Sequence, residues 1–346
     1  MNPYAKLITL TSLTLGTTLT ISSNHWAMAW TGLEINTLAI IPMISKSHHP
    51  RAIEAAVKYF LVQATASASI LFSSLINAWS CGQWDITQLT NYVSCLLLTT
   101  AIAMKLGLAP FHFWFPEVLQ GSSLTTSLLL STVMKFPPIT ILLLTSNSLN
   151  PPLLTFMAIT SAALGGWMGL NQTQIRKVLA FSSISHLGWM TIIIIYTPKL
   201  TLLTFLLYTI MTSAIFLSLN TSNTTKLSTL MTSWTKTPTL NATLMLTLLS
   251  LAGLPPFTGF LPKWLIIQEL TKQELTPAAL TIALLSLLSL FFYLRLTYFS
   301  SITLPPNSTN QMKHWYINKN TNPLVAILTP LSTLLLPLSP LILSTI

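Results

Sequence analysis

Apolar residues form a succession of long blocks along this chain, separated by short polar segments. Each block has about 18 to 24 residues, which suits a helix that crosses about 30 Å of hydrocarbon at 1.5 Å per residue. We therefore predict an all-α polytopic membrane protein with about eleven transmembrane helices. The predicted helices lie near residues 3–22, 25–44, 54–77, 86–120 with a break, 125–145, 151–170, 175–196, 200–220, 241–271 with a break, 276–300 and 323–345.

Composition supports a membrane protein. Charged residues account for 6% of the 346 positions, whereas a soluble domain carries about 25%. The formal charge is +10, but the basic residues are spread singly between apolar blocks, so we expect lipid contacts and no nucleic-acid binding. Cys81 and Cys95 show no CxxC or Cys/His spacing, which argues against a disulfide framework and a structural metal.

The basic residues also predict the orientation of the chain. Only Lys199 and Lys272 fall on the side of the membrane opposite to the N-terminus. The positive-inside rule then places the N-terminus on the side of synthesis and Ile346 on the other side. The first residues resemble neither a signal peptide nor an Arg-rich transit peptide, so the first apolar block is expected to be a permanent helix. The basic residues on the N-terminal side are Lys6, Lys46, Arg51, Arg176, Lys177, Lys226, Lys236, Lys313 and Lys319.

A short motif occurs twice in the chain, 146 residues apart. Its copies are Gly107-Leu-Ala-Pro110-Phe and Gly253-Leu-Pro-Pro256-Phe, each followed by a further proline at the same spacing. Glycine and proline inside an apolar block free backbone groups that lipid cannot satisfy, so each copy predicts a helix break facing protein or water. A pair of ordinary proline kinks is the alternative.

The two motifs fall in the fourth and the ninth predicted helices, so that the two copies run in opposite directions. We therefore predict inverted five-helix repeats, with halves 1–147 and 148–300, followed by a loop and a C-terminal helix in 301–346. Paired broken helices in inverted halves are typical of a transport path near the middle of the bilayer.

Four ionisable residues are predicted near the middle of the membrane: Glu34, Lys105, Lys135 and Lys263. A charge there costs about 2.5 to 3.5 kcal/mol on insertion scales, which indicates an offsetting role. Three lysines cannot all pair with one glutamate, and burial disfavours the charged form of an amine, so these lysines are candidates for proton exchange. Static ion pairs between helices are the alternative.

His186 occupies in the second half the place that Glu34 has in the first, with an offset of 152 residues. A neutral imidazole both donates and accepts a hydrogen bond, which suits a proton relay, although a packed histidine is the alternative. His112, beside the first break, is a weaker candidate. Haem binding by these histidines is disfavoured because no second histidine pair occurs. Glu117 and Arg295 lie nearer helix ends and are interpreted as structural.

The sequence contains no dinucleotide or P-loop motif, no nucleophile elbow and no carboxylate pair for a metal, which argues against a cofactor in this chain. Its motifs resemble, over nearly the whole chain, the antiporter-like subunits of respiratory complex I. The stretches that carry the resemblance are Glu34, Ala55-Ala-Val-Lys-Tyr-Phe-Leu61, Lys105 before Gly-Leu-Ala-Pro-Phe-His-Phe-Trp, Lys135, Arg176-Lys-Val-Leu-Ala-Phe-Ser-Ser-Ile-Ser-His186 and Gly253-Leu-Pro-Pro-Phe-Thr-Gly-Phe-Leu-Pro-Lys263.

The resemblance implies a proton-translocating module of the inner mitochondrial membrane that works beside other membrane-arm subunits. It implies that Glu34 and Lys105 form a pair of variable separation, that Lys135 matches the family's linking lysine and that Lys263 matches the terminal lysine of the second half-channel. NADH, FMN, iron–sulfur clusters and ubiquinone are then expected in other subunits. A free-standing cation/proton antiporter and a structural scaffold remain as alternatives.

Overall fold

The computed structural model describes residues 2–235, 237–302 and 322–340. The regular elements in these residues are helices, which confirms the predicted all-α class. Within these described residues, six helical segments are long and apolar enough to cross a membrane, and three shorter apolar helices accompany them. The fold is therefore polytopic, while the predicted number of eleven crossings stays a prediction.

The helices are, in chain order, α1 (Pro3–Ser22), α2 (Trp26–Ile44), α3 (Pro50–Cys81), α4 (Tyr92–Leu106), α5 (Trp114–Gly121), α6 (Leu124–Ser131), α7 (Phe136–Leu144), α8 (Pro151–Gly169), α9 (Ile175–Ile193), α10 (Pro198–Ser222), α11 (Leu227–Thr232), α12 (Pro238–Ala252), α13 (Phe260–Lys272), α14 (Thr276–Ile302) and α15 (Pro323–Leu334). The chain forms two compact units. One comprises Met1–Ser161 and Met190–Pro198, and the other comprises Ala162–Trp189 and Lys199–Ile346.

Proline and glycine set several helix ends. Proline stands in the first turn of α1, α3, α12 and α15, where its missing N–H costs no helical hydrogen bond. Gly82 has a φ of +70° and ends α3 in the left-handed conformation. These ends make α3 longer than the predicted 54–77, because the polar residues of its first turn lie outside the apolar block.

α1 and α2 approach each other closely in the first unit. A Cβ atom added at Gly16 would overlap the side-chain amide of Asn36, and one added at Gly32 would lie 2.6 Å from Cγ2 of Thr20. Small residues at such contacts allow two membrane helices to pack backbone against backbone. This packing holds α2, which carries Glu34, against the N-terminal helix.

Several predicted segments differ from the structure. The predicted helix 125–145 is two helices, α6 and α7, separated by the 3-10 turn Val133–Lys135. The short helix α11 was not predicted, because its six residues carry no membrane-length apolar block. Lys236, Lys313, Lys319 and the end of the predicted helix 323–345 lie outside the described residues.

Candidate functional site

The first helix break separates α4 from α5. Gly107 directly follows α4 and has a φ of +74°, a left-handed conformation that glycine adopts without steric cost. The amides of Gly107 and Leu108 donate to the Ala103 carbonyl at 2.9 and 3.0 Å. The indole N–H of Trp114, the first residue of α5, donates to the Met104 carbonyl at 3.1 Å. Two carbonyls at the break are therefore satisfied within the protein, as a lipid environment requires.

Lys105 lies in the last turn of α4 and is only 6% exposed. Carbonyl groups at the end of a helix carry a negative partial charge that favours a cation there. Gln63 of α3 donates its amide N–H to the Lys105 carbonyl at 3.4 Å. Within the described residues, the Lys105 Nζ has no hydrogen-bond partner and no carboxylate oxygen within 4.0 Å. The side chain is thus a buried amine without a counter-ion in contact.

Glu34 lies midway along α2 and is half-buried. Its carboxylate accepts hydrogen bonds from the hydroxyls of Thr37 at 2.9 Å and Ser67 at 3.2 Å. In the described part of the chain, Glu34 and Lys105 form no contact ion pair. Among the described residues, the expected pair is therefore not in contact, and the carboxylate accepts from two hydroxyl groups instead.

Lys135 lies in the 3-10 turn Val133–Lys135 between α6 and α7, and it is 3% exposed. Pro137 and Pro138 have no backbone N–H, so the carbonyls four residues before them lose their usual helical donors. The Lys135 Nζ lies 4.8 Å from the centroid of the Phe115 ring, within the range of a cation–π contact. This lysine is thus placed at a local break and not in a regular helix.

Lys105 and Lys135 line one small cavity of about 20 Å³, together with Tyr59, Gln63 and Phe115. A water molecule needs about 10 to 15 Å³, so this cavity has room for one. The structure therefore brings two of the predicted relay lysines to a common space. One comes from the end of α4 and the other from the turn before α7.

The second helix break lies in the other unit. Residues 253–259 separate α12 from α13 as residues 107–113 separate α4 from α5, so the two breaks have equal length and lie 146 residues apart. Gly253 has a φ of +81°. The Nζ of Lys263 donates to the Ala252 carbonyl at 2.7 Å, which is the last carbonyl of α12. Among the described residues, no carboxylate oxygen lies within 4.0 Å of this amine.

The two histidines have different surroundings. His186 of α9 is half-buried, and its ring lies 5.6 Å from the ring of Tyr208 on α10. His112 lies within the first break, is 1% exposed and packs at 4.3 Å against the ring of Phe113. The part of the chain that the structure describes contains no group of three His, Cys, Asp or Glu side chains that could hold a metal ion.

Two other charged residues hold elements together. Glu117 of α5 accepts a bond from Lys58 of α3 at 2.6 Å, and the same amine binds Glu54 at 2.5 Å. This exposed cluster ties the segment after the first break to α3. In the second unit, Arg295 donates to the Leu170 carbonyl at 2.5 Å.

A polar stripe on α3 was missed by the sequence analysis. Tyr59, Gln63 and Ser67 follow one another at four-residue spacing, so they share one face of the helix. Each contributes to the site: Tyr59 and Gln63 line the cavity, and Ser67 binds Glu34. The spacing of these polar residues in an apolar helix is the signal that would have found them.

The fold and the site define an antiporter-like membrane protein with broken helices. The family model described as "NADH:quinone oxidoreductase/Mrp antiporter, TM" matches residues 23–289, so the chain belongs to this family. The model "NADH dehydrogenase subunit 2 C-terminus" matches residues 290–343. Among its relatives, the "NADH-ubiquinone oxidoreductase chain 2" of Struthio camelus is 76% identical over 96% of each chain. The protein of the same name from Gallus gallus is 75% identical over the same shares.

Solved structures show the same fold. A chain of respiratory complex I from Thermus thermophilus matches with a TM-score of 0.83 and 25% identity, over 97% of this chain and 80% of that one. A chain of the Mrp complex from Dietzia matches with a TM-score of 0.72 and 18% identity, over 82% of this chain and 58% of that one. At 18% identity, the match to the Mrp complex chain shows a shared fold only.

Proposed function

We propose that this chain is a proton-translocating membrane-arm subunit of NADH:ubiquinone oxidoreductase, located in the inner mitochondrial membrane beside other membrane-arm subunits. The family match and the names of relatives with about three quarters identity support this assignment. The chain then acts as part of an enzyme whose redox chemistry takes place in other subunits. NADH, FMN, iron–sulfur clusters and ubiquinone are bound elsewhere in the complex.

The observation that carries the proposal is the cavity shared by Lys105 and Lys135. Both side chains are buried, and Lys105 has no counter-ion in contact among the described residues. The state in which both amines are protonated is unfavourable in such a small cavity, because like charges repel strongly where water is scarce. A proton on one amine therefore disfavours a second proton on the other, and the two sites load in a coupled way.

Glu34 sets how strongly Lys105 holds its proton. Its carboxylate accepts hydrogen bonds from the hydroxyls of Thr37 and Ser67 and forms no ion pair with Lys105 among the described residues, so its separation from the amine can change when α2 and α3 move against each other. At an effective dielectric near 20, opposite charges about 4 Å apart interact by roughly 4 kcal/mol, and the interaction weakens with distance. A change in this separation would load or discharge Lys105.

In the second half, His186 and Lys263 continue the relay, with His112 as a weaker candidate beside the first break. The Lys263 amine donates to the last carbonyl of α12. This carbonyl lies at the second break, which corresponds to the first break beside Lys105. The halves 1–147 and 148–300 each supply one half-channel, and residues 301–346 follow them. The basic loops support an N-terminus in the matrix and a C-terminus in the intermembrane space.

The test is to replace Lys105 or Lys263 with Met and to measure proton pumping by the complex reconstituted in liposomes. Methionine keeps the length of the side chain without a proton-binding group. We expect both complexes to assemble and to translocate fewer protons for each NADH oxidised. Lys46→Met is the matched control, because Lys46 is exposed in the turn between α2 and α3. Full pumping by both Lys105→Met and Lys263→Met would reject the relay.

A further inference from the structure

Tyr59 carries a hydroxyl group that packing does not explain. Its side chain is 1% exposed, and its ring meets the ring of Trp114 edge to face at 5.8 Å. Phenylalanine would make the same ring contact. The Tyr59 Oη has no hydrogen-bond partner among the described residues, and a buried hydroxyl without a partner is destabilising.

The cavity beside Lys105 offers such a partner. Tyr59 lines this cavity together with Lys105 and Lys135, and the space admits one water molecule. A buried water needs two to four polar partners. The Tyr59 Oη and the Lys105 Nζ are both buried and both lack a protein partner among the described residues, so each can bind the same water.

The second half of the chain carries a tyrosine at the matching place. Tyr208 lies on α10, the third helix of that half, 149 residues after Tyr59 on α3, and the helix breaks are 146 residues apart. It is 1% exposed, and its ring contacts His186 at 5.6 Å. Each half therefore places a fully buried tyrosine next to a residue of the proposed relay.

We propose that the Tyr59 hydroxyl positions a water molecule that carries protons between Lys105 and Lys135. This role rests on the proposed function, because it concerns one step of the same relay. In this step the Lys105 ammonium gives a proton to the water while the water gives one to the Lys135 amine. Lys105 becomes neutral, Lys135 becomes charged and the water keeps its composition. Tyr59 keeps its own proton and acts as a positioning residue.

The experiment replaces Tyr59 with Phe in the complete complex, with Tyr92→Phe as the matched control. Tyr92 is 65% exposed at the start of α4 and lines no part of the cavity. We expect Tyr59→Phe complexes to assemble and to translocate protons about fivefold more slowly, the loss expected for one hydrogen bond to the transferring water. We also expect a larger rate difference between H₂O and D₂O than in the wild type, which a purely structural role would not produce.

The outcomes separate this proposal from the proposed function. Full pumping by Tyr59→Phe together with impaired pumping by Lys105→Met overturns the role of Tyr59 alone. Full pumping by both Lys105→Met and Lys263→Met overturns the relay and this step with it. Should Tyr59→Phe fail to assemble, a high-resolution map of the wild-type complex decides. Water density within hydrogen-bond distance of both the Tyr59 Oη and the Lys105 Nζ supports the proposal, and its absence overturns it.

Discussion

Gly253 and Gly107 give a matched pair of substitutions for testing how the second break places Lys263. Both glycines directly follow a helix, and both have left-handed backbone angles, with φ of +81° and +74°. An added Cβ meets different surroundings at the two positions. At Gly253 it would lie 2.9 Å from the Lys263 Nζ and 3.0 Å from its Cδ and Cε. At Gly107 the nearest atoms, Cβ of Phe115 and Cζ2 of Trp114, are 3.5 Å away.

These contacts predict that alanine costs more free energy at Gly253 than at Gly107. Alanine in the left-handed conformation costs about 1 to 2 kcal/mol at either position. At Gly253 the lysine side chain must also move, which threatens its bond to the Ala252 carbonyl, and a hydrogen bond to a charged group contributes about 1.5 to 3 kcal/mol. At about 1.4 kcal/mol for each tenfold change, that extra loss lowers the occupancy of the present Lys263 position roughly 10- to 100-fold.

The assay is proton translocation for each NADH oxidised, measured with both variant complexes in liposomes. We expect Gly107→Ala to pump nearly as the wild type does, since it adds backbone strain but no close contact. We expect Gly253→Ala to assemble and to lose most of the pumping that depends on Lys263. Equal pumping by the two variants would refute the reasoning, because they share the strain and differ only in the contact with Lys263.

Two further substitutions test the second break and the charge on α2. Gly259→Ala should prevent assembly of the complex, because its Cβ would overlap the backbone oxygen of Ser250. A normal amount of complex on blue-native electrophoresis would contradict this packing. Glu34→Gln keeps the size of the side chain but removes the charge that is proposed to act on Lys105. Assembly should persist and the number of protons translocated for each NADH should fall, whereas the exposed Glu54→Gln should pump normally.

The positions of the two long breaks follow from local chemistry. Glycine and proline act on the backbone of their own neighbourhood, so the repeated motif predicts where helical hydrogen bonding stops. The break at Lys135 was missed for a related reason. Proline is tolerated in the first turn of a helix, and an apolar block that contains Pro137 and Pro138 still reads as one crossing.

The partners of the charged side chains could not be predicted in this way. Lys58 binds Glu117, which lies 59 residues further along the chain, and this contact depends on how α5 returns to α3. The carboxylate of Glu34 accepts a bond from the hydroxyl of Ser67, which lies 33 residues further along the chain on another helix. Contacts between distant segments follow from tertiary packing, which the pattern of a single segment does not contain.

The bond between Lys263 and the Ala252 carbonyl has a chemical consequence for transport. A carboxylate partner could remove the ammonium proton and keep it, and the pair would then become neutral. A backbone carbonyl accepts a hydrogen bond but has no comparable basicity, so it orients the amine without competing for its proton. In the proposed relay, a proton on Lys263 would therefore leave to the next acceptor without competition from the carbonyl that orients the amine.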